Sequence, residues 1–229
     1  MGQIEKKMPG YSISRHLFVI FNIKKINNMN KLSYALGMSL GQSLQASGVD
    51  SLEFDDFLSG VKVIFSGEDP QISAEYGNQI LQTFFDKKKK EKEEAEKIEK
   101  QKNLTAGQEF LKKNAEEPGV TVTSSGLQYK VIKDGEGNHP GPHSRVKCHY
   151  EGRLIDGQVF DSSYRRGTPT VFGLDQVIPG WTEGLQLAKS GGKYEFYIPA
   201  DLAYGEVGVP GVIPGNSALI FTVELLEVL

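Results

Sequence analysis

Hydrophobic positions along this chain follow two different periods, and the change from one to the other divides the sequence. Between residues 30 and 85, apolar side chains recur every three or four positions, which is the repeat of an amphipathic helix. From residue 120 onward they alternate with polar ones, which is the repeat of a strand with one buried face. The pattern predicts a helical N-terminal part and a C-terminal part made of strands.

The first predicted helix carries a leucine every fourth residue. Leu32, Leu36, Leu40 and Leu44 share one of its faces, and Gly48 is its expected C-terminal stop. Glycines within this stretch lower its intrinsic helix propensity by about 1 kcal/mol each. The helix therefore needs a packing partner to persist.

Two more helices are predicted before the strands begin. One is expected over 53–65 with Ser51 as its N-cap, and the next from near Ser73 to about Ala115. Within the latter, residues 86–103 include only two apolar side chains and no Pro or Gly. That composition favours a solvated helix, with disorder as the alternative. A helix from 73 to 115 would be roughly 60 Å long.

The three N-terminal helices make a poor core by themselves. Apart from the charged extension they contain about 55 residues, too few to bury their apolar faces against one another. Because a second copy of the same helices would cover these faces, we expect residues 29–85 to form a homodimerisation domain. The alternative is a self-contained helical cap on the C-terminal domain.

The C-terminal part is predicted to be an antiparallel sheet. Its three clearest alternating runs are Val146, Cys148, Tyr150, Gly152 and Leu154; Tyr194, Phe196 and Ile198; and Leu219, Phe221, Val223 and Leu225. Turn signals such as Asp156-Gly157 separate the runs. One short helix is expected over 182–188, so about five strands would wrap on one helix. The predicted fold class is α+β.

Composition narrows the function classes. The 229 residues carry a net charge of -3, and no generalised basic field that would favour a nucleic-acid partner is present. The single cysteine, Cys148, excludes an intrachain disulfide. A single cysteine is compatible with a reducing compartment. The location expected is the cytoplasm, with the periplasm as the alternative.

The N-terminal 28 residues stand apart from this organisation. Their one apolar run, 17–23, is too short to span a bilayer, so no stable membrane span is expected. Basic residues precede the run, as in a signal peptide, but no small-residue cleavage site follows it. Because Met29 opens a cleaner sequence, residues 1–28 are either an upstream extension or a signal or anchor segment.

Five spaced segments of the C-terminal part supply the candidate chemistry. They contribute Tyr150, Phe160, Asp161, Val177, Ile178, Trp181, Tyr204, Ile213 and Phe221. This set has one carboxylate and no nucleophile–base pair, which argues against hydrolysis or group transfer. Cys148 and His149 are neighbours on a strand and point to opposite faces. The four histidines lack metal-ligand spacing, so no metal or cofactor is expected.

These segments resemble the FKBP family of peptidyl-prolyl cis-trans isomerases over about 118–229. The whole layout is similar to the bacterial Mip/FklB-type FKBPs, which are homodimers joined through their N-terminal helices. The resemblance implies an isomerase domain over 118–229 and a charged linker helix over 86–117. It implies proline-containing, unfolded or partly folded polypeptides as clients, and macrolides of the tacrolimus or rapamycin type as inhibitors.

The resemblance also assigns roles to residues. It implies Tyr150, Phe160, Asp161, Tyr204 and Phe221 as catalytic residues, and Val177, Ile178, Trp181, Ile213, Phe172 and Arg166 as substrate-binding residues. Trp181 would be the pocket floor, while the Ile178 N–H and the Tyr204 hydroxyl would bind ligand carbonyls. Asp161 would lie near Tyr150 and Arg166.

Two positions depart from the family pattern. Thr170 stands where a second aromatic residue is found, and Val209 where an aromatic residue or histidine is frequent. The thinner wall at Thr170 motivates a second hypothesis, a proline-segment-binding chaperone or scaffold with little turnover. A third is a purely structural dimer, because aromatic residues taken singly are usually core.

Overall fold

The computed structural model describes residues 29–229, and the predictions for 1–28, including the apolar run 17–23, lie outside the described residues. The chain divides into two compact units, the first ending at Lys88 and the second running from Lys89 to Leu229. Within residues 29–229, no helix has both the length and the apolar character needed to cross a membrane.

The first unit is helical. Its helices are α1 (Lys31–Ala46), α2 (Phe54–Ser66) and the start of α3 (Ala74–Asn114). Gly48 has φ +85° just beyond the end of α1, which confirms it as the stop. The N-cap prediction for α2 was wrong, because Glu53 rather than Ser51 occupies that position.

Apolar side chains of the first unit are not covered. No residue from 29 to 88 is buried. Leu32, Leu36 and Leu40 on α1 are 69%, 62% and 45% exposed, and Phe65 on α2 is 88% exposed. The three helices therefore present apolar surface that one copy of the unit does not bury.

The second unit is built on one antiparallel sheet. Its strands are β1 (Val120–Val122), β2 (Gln128–Lys133), β3 (Arg145–Leu154), β4 (Val159–Ser162), β5 (Thr170–Gly173), β6 (Lys193–Ile198) and β7 (Leu219–Val228). They are ordered β1-β2-β6-β7-β3-β4, and β5 pairs with β3 beside β4. The sheet has seven strands rather than about five, because short strands such as β1 and β5 carry too little periodicity to be recognised.

Two helices belong to the sheet region, α4 (Ser163–Arg166) and α5 (Pro179–Leu187). The predicted start of α5 at 182 was too late. Pro179 occupies its first turn, where a missing N–H costs nothing. The earlier start places Trp181 on the helix itself. The turn α4 was not predicted.

The core lies between the sheet and α5. All three predicted alternating runs are confirmed, with Val146, Cys148, Phe196 and Val223 fully buried. Burial raises the pKa of the Cys148 thiol to about 12.

The end of α3 belongs to the second unit. Residues 89–99 are exposed, as predicted for a solvated helix. From Lys100 to Asn114 one face instead packs on the sheet region. An ideal Cβ on Gly107 would lie 3.0 Å from the Ala218 Cβ, and the buried Asn114 Nδ2 donates to Gln128 Oε1 at 2.8 Å. This contact was not predicted.

Candidate functional site

A pocket of about 390 Å³ lies next to the first turn of α5. It is lined by Tyr150, Phe160, Asp161, Phe172, Gln176, Val177, Ile178, Trp181, Tyr204 and Phe221. Strands β3, β4, β5 and β7, helix α5 and the loop before β7 each contribute. The lining is mostly aromatic or branched apolar, as expected for a site that excludes water.

Trp181 is the centre of an aromatic cluster. Its indole meets the rings of Tyr150, Phe172 and Phe221 edge-to-face, with centroids 5.2, 5.3 and 5.2 Å away. Phe160 meets Phe221 in the same manner at 5.5 Å. Each such pair contributes about 0.5–1.5 kcal/mol beyond area burial and fixes the ring orientations. The pocket floor is therefore preformed rather than adaptable.

Gly152 on β3 makes this arrangement sterically feasible. A Cβ at this position would lie 2.6 Å from ring atoms of both Phe160 and Phe221. Only glycine leaves room for two rings to meet above the strand. The buried position of Gly152 therefore makes room for the pocket wall and does not add a side chain to the core.

One carboxylate with two partners forms the polar side of the pocket. The Tyr150 hydroxyl donates to Asp161 Oδ2 at 2.5 Å, and Arg166 donates to Asp161 Oδ1 and, at 2.8 Å, to the Tyr150 hydroxyl. Burial alone would raise the pKa of Asp161, but the hydrogen bonds from Tyr150 and Arg166 outweigh it and hold the pKa below its usual value. Burial, and then the bond to Asp161, raises the pKa of Tyr150. Asp161 is thus ionised and Tyr150 protonated across the neutral range.

Two hydrogen-bond donors at the pocket have no partner among the described residues. Within residues 29–229, neither the Ile178 backbone N–H nor the Tyr204 hydroxyl hydrogen-bonds to another group. Ile178 precedes α5 as its N-cap, and Tyr204 is 40% exposed. Burial, and then the charge of Asp161, raises the pKa of Tyr204, so its hydroxyl keeps its proton. Both groups can donate to carbonyls of a bound chain.

Ser163 positions Tyr150 and was not predicted to have a role at the site. β3 pairs with β5 at 145–148 and with β4 at 151–153, which leaves Tyr150 between its partner strands. The buried Ser163 Oγ fills this gap, accepting from the Tyr150 N–H at 2.7 Å and donating to the Tyr150 carbonyl at 3.2 Å. His149 Nδ1 lies 3.0 Å away and can donate to the second lone pair. A hydroxyl here replaces the missing strand.

Most predicted site residues come together in this pocket. The exceptions are Arg166, which touches it only through Asp161 and Tyr150, and Ile213. Ile213 is 5% exposed, packs in the core and borders a different depression beside residues 96–100 of α3. Gln176 lines the pocket but was not predicted, because a polar residue in a loop gives no sequence signal. Thr170, where a second aromatic residue was expected, lies at the start of β5 opposite Cys148.

The chemistry available to the pocket is non-covalent. Its titratable groups within the described residues are Asp161, Tyr150 and Tyr204, and their pKa shifts keep each in its ordinary neutral-pH form. Residues 29–229 contain no group of three or more His, Cys, Asp or Glu that could hold a metal ion. Such a pocket can bind an apolar ring, orient neighbouring carbonyls and exclude water.

Two family models cover nearly all of the described chain. Residues 136–226 match the model of FKBP-type peptidyl-prolyl cis-trans isomerases. Residues 29–131 match the model of the domain amino-terminal to such isomerases.

Known proteins agree with these matches. The chain is 41% identical over 204 residues to the probable FKBP-type isomerase FkpA of Neisseria meningitidis, covering 88% of this chain and 75% of the relative. It is 42% identical over 200 residues to the outer membrane protein MIP of Legionella longbeachae, covering 87% and 85%. The crystal structure of FkpA from Escherichia coli superimposes with a TM-score of 0.71 at 43% identity, covering 86% of this chain and 95% of that one.

Proposed function

This chain belongs to the FKBP-type peptidyl-prolyl cis-trans isomerases, and from that premise we propose that it rotates X–Pro bonds in the pocket above Trp181. The family and the enzymatic activity follow from the two family models and the relatives. The observation that carries the placement is the aromatic cluster around Trp181, beside two unpartnered donors.

Rotation of the X–Pro bond is limited by amide resonance. The barrier is about 18–20 kcal/mol, because the C–N bond has partial double-bond character in the planar form. In the twisted transition state this resonance is lost and the carbonyl is less polar. A water-poor apolar pocket therefore stabilises the twisted form relative to the planar one. The reaction needs no proton transfer and no covalent intermediate.

We assign the roles as follows. The prolyl ring packs on Trp181, with Phe160 and Phe221 at its sides. The Ile178 N–H and the Tyr204 hydroxyl hold carbonyls on either side of the rotating bond. Apolar walls are completed by Val177 and Phe172, and the polar edge by Tyr150, Asp161 and Arg166.

A protease-coupled assay with a short proline peptide tests this placement. Asp161→Ala and Trp181→Ala should each lower kcat/KM by tenfold or more, an effect of about 1.4 kcal/mol or larger on the barrier. Normal rates in both variants would refute the pocket.

Tyr204 has a matched control in the same domain. Tyr204→Phe and Tyr164→Phe each remove a phenol hydroxyl from a side chain that is 40% or 39% exposed. The Tyr164 hydroxyl instead bonds Glu224, and its ring stacks on His149. Only Tyr204→Phe should lower kcat/KM, by roughly fivefold, if its hydroxyl binds a substrate carbonyl. Equal rates in the two variants would remove Tyr204 from the site.

We place the homodimer contact in residues 29–85, with 86–117 as linker helix and 118–229 as isomerase domain. The support is the uncovered apolar surface of the first unit, where no residue from 29 to 88 is buried. Large apolar surfaces left uncovered are rare on monomeric soluble proteins. Light scattering on residues 29–229 should give twice the chain mass, and a monomer mass would overturn the placement.

The clients we propose are unfolded or partly folded chains, and macrolides of the tacrolimus or rapamycin type are proposed competitors for the same pocket. The binding-module alternative rests on Thr170, which gives the pocket one aromatic side chain fewer. The binding-module role would be favoured over isomerase catalysis by two results together. Turnover of X–Pro bonds would be low, and the protein would still protect unfolded clients in a way that a macrolide abolishes.

For location, the relative named as an outer membrane protein supports the periplasmic alternative over the cytoplasm. N-terminal sequencing of the native protein tests this. A native chain cleaved within or after the apolar run 17–23 at a residue other than Met29 would indicate export. A native chain that starts at Met1 or Met29 would favour the cytoplasm.

A further inference from the structure

The part of α3 that follows residue 99 carries a stripe of polar residues, leucines and one glycine toward the isomerase sheet. Its members recur every three or four residues: Lys100, Asn103, Leu104, Gly107, Leu111 and Asn114. Of these, Gly107 and Asn114 are buried and the others half-buried. The stripe is a docking face, although the sequence gives it almost no amphipathic pattern.

The C-terminal half of the stripe, residues 107–114, anchors the helix on the sheet region. Gln128 on β2 receives a hydrogen bond from Asn114 at 2.8 Å and donates to the Leu111 carbonyl at 2.8 Å. Gly107 lets the helix backbone approach Ala218 at the start of β7. Phe110 meets the ring of Tyr197 at 6.1 Å. These contacts fix the position of the helix on the sheet region, and with it the position of residues 100–104.

The N-terminal half of the stripe, residues 100–104, contacts the loop that carries Tyr204. The Asn103 Nδ2 donates to the Gly215 carbonyl at 3.1 Å, and the Asn216 Nδ2 reaches the Lys100 carbonyl at 3.4 Å. The Lys100 Nζ lies 3.9 Å from Glu206. The helix therefore touches this loop at both of its ends.

The loop closes on itself at the same place. The Asn216 N–H donates to the Gly205 carbonyl at 2.8 Å, next to Tyr204. Asn216 has φ +58°, a left-handed conformation that is uncommon for L residues but that asparagine adopts more readily than most. A Cβ on Gly215 would lie 2.2 Å from the Glu206 carbonyl oxygen. The corner at 215–216 is thus tightly packed, and it sets the position of the backbone beside Tyr204.

We propose that Asn103 is a positioning residue for the isomerase pocket, acting through the corner at 215–216 to hold Tyr204 over the bound proline. The helix outside the sheet is then part of the catalytic unit. This inference rests on the role proposed above for Tyr204. Without the Asn103 bond, the loop holds its binding geometry for a smaller fraction of the time, which raises KM and leaves kcat nearly unchanged.

The test uses the full chain with Asn103→Ala and, as matched control, Gln101→Ala. Gln101 lies on the same helix, is exposed, and bonds only Thr105 one turn away. For Asn103→Ala we expect KM for a short proline peptide to rise about fivefold, with kcat within about twofold. Amide exchange should accelerate at Gly205 and Asn216 but not in β3 or β7. Gln101→Ala should match the wild type in every measurement.

Three results would overturn the proposal. One is an Asn103→Ala protein with wild-type KM and unchanged exchange at Gly205 and Asn216. Another is a lower melting temperature with faster exchange throughout β3 and β7, because Asn103 would then act through global stability. The third is a wild-type rate in Tyr204→Phe, which would remove the role of Tyr204 itself. A slow Tyr204→Phe beside a normal Asn103→Ala would reject the positioning role alone and leave the pocket assignment intact.

Discussion

The two units of this chain place their apolar side chains in opposite ways. In the first, leucines repeat along α1 with good helical period, yet none is buried. In the second, Val146, Phe196 and Val223 reach complete burial within the unit. Amphipathic period alone therefore does not say what a face packs against. It says only that a face will be covered, by the same chain or by another.

The two units also differ in how their polar side chains are paired. The second unit pairs its buried polar side chains, as with Asn114 and Gln128, and within residues 29–229 the Trp181 Nε1 is the buried side-chain polar atom left without a partner. The first unit has few side-chain bonds between its elements, among them Lys88 on α3 to Asp50 in the α1–α2 loop at 2.5 Å. Short helices with so little internal support are marginal in water. The second unit is thus expected to be stable alone and the first only when covered.

The largest expected effect is Trp181→Ala. Truncating this 4% exposed side chain should cost about 3–5 kcal/mol of unfolding free energy in the second unit, because it leaves a cavity between three rings. Urea unfolding of residues 29–229 measures the loss, while light scattering should show unchanged mass. Val131→Ala, at a 46% exposed strand position, is the control and should stay within about 0.5 kcal/mol of the wild type. If Trp181→Ala no longer had the mass of a dimer, the two units would not be independent of each other.

The next effect concerns only the first unit. Leu36→Glu with Leu40→Glu should raise the dimer dissociation constant at least about a hundredfold, or roughly 2.7 kcal/mol, because both side chains become charged within the proposed contact. Sedimentation measures this, and kcat/KM for a short peptide should not change. Gln45→Glu adds one such charge on the far side of α1 and should leave the mass unchanged. A double variant that still sediments as a dimer would contradict the placement.

A smaller effect separates two fragments of the second unit. Residues 118–229 should be less stable than 89–229 by about 2 kcal/mol, because Tyr197 and Ala218 lose the cover of α3 and Gln128 loses both its partners. Thermal unfolding of the two fragments measures the difference. Equal stability would mean that the end of α3 is only a connection and that the unit begins after it.

The smallest expected effect is on pH dependence. The folded-state pKa of Asp161 is depressed, so its contribution is present above the unfolded value of about 3.9 and is lost as pH falls through the folded pKa. Its side chain is 41% exposed, and solvent screening reduces the contribution to less than about 1 kcal/mol. Asp161→Asn should therefore flatten the acid limb of the stability curve below about pH 4. An identical limb in the variant would show that the hydrogen bonds from Tyr150 and Arg166 to Asp161 add nothing to stability.

Sequence reasoning reached the core more easily than the boundaries of the elements. Alternation on β3 predicted Val146, Cys148 and Tyr150 on one face because a single buried face imposes a period of two. Local signals were weaker: Ser51 has the right chemistry for an N-cap, but the chain turns into α2 only at Glu53. The start of the nine-residue helix α5 was likewise predicted at 182, although the helix begins at Pro179.

The site was predictable where residue type carries the chemistry. Aromatic residues around Trp181 were found because their order in the chain is distinctive. Ser163 and Gln176 were missed because their roles depend on where β4 and β5 leave a gap and where a loop passes. Ile213 was assigned to the pocket by analogy, whereas its side chain lies outside the pocket lining and borders a neighbouring depression. Its role in substrate binding stays a prediction. Roles that depend on long-range geometry leave no local signal.

The chain contains one tryptophan, and it lies at the floor of the pocket. Near-ultraviolet emission excited at the red edge of protein absorption therefore arises from this single indole in an apolar setting. A ring seated above it changes the surroundings of that fluorophore directly. Titration of an unlabelled peptide can consequently be followed by light from the native molecule, with no dye attached and no turnover required.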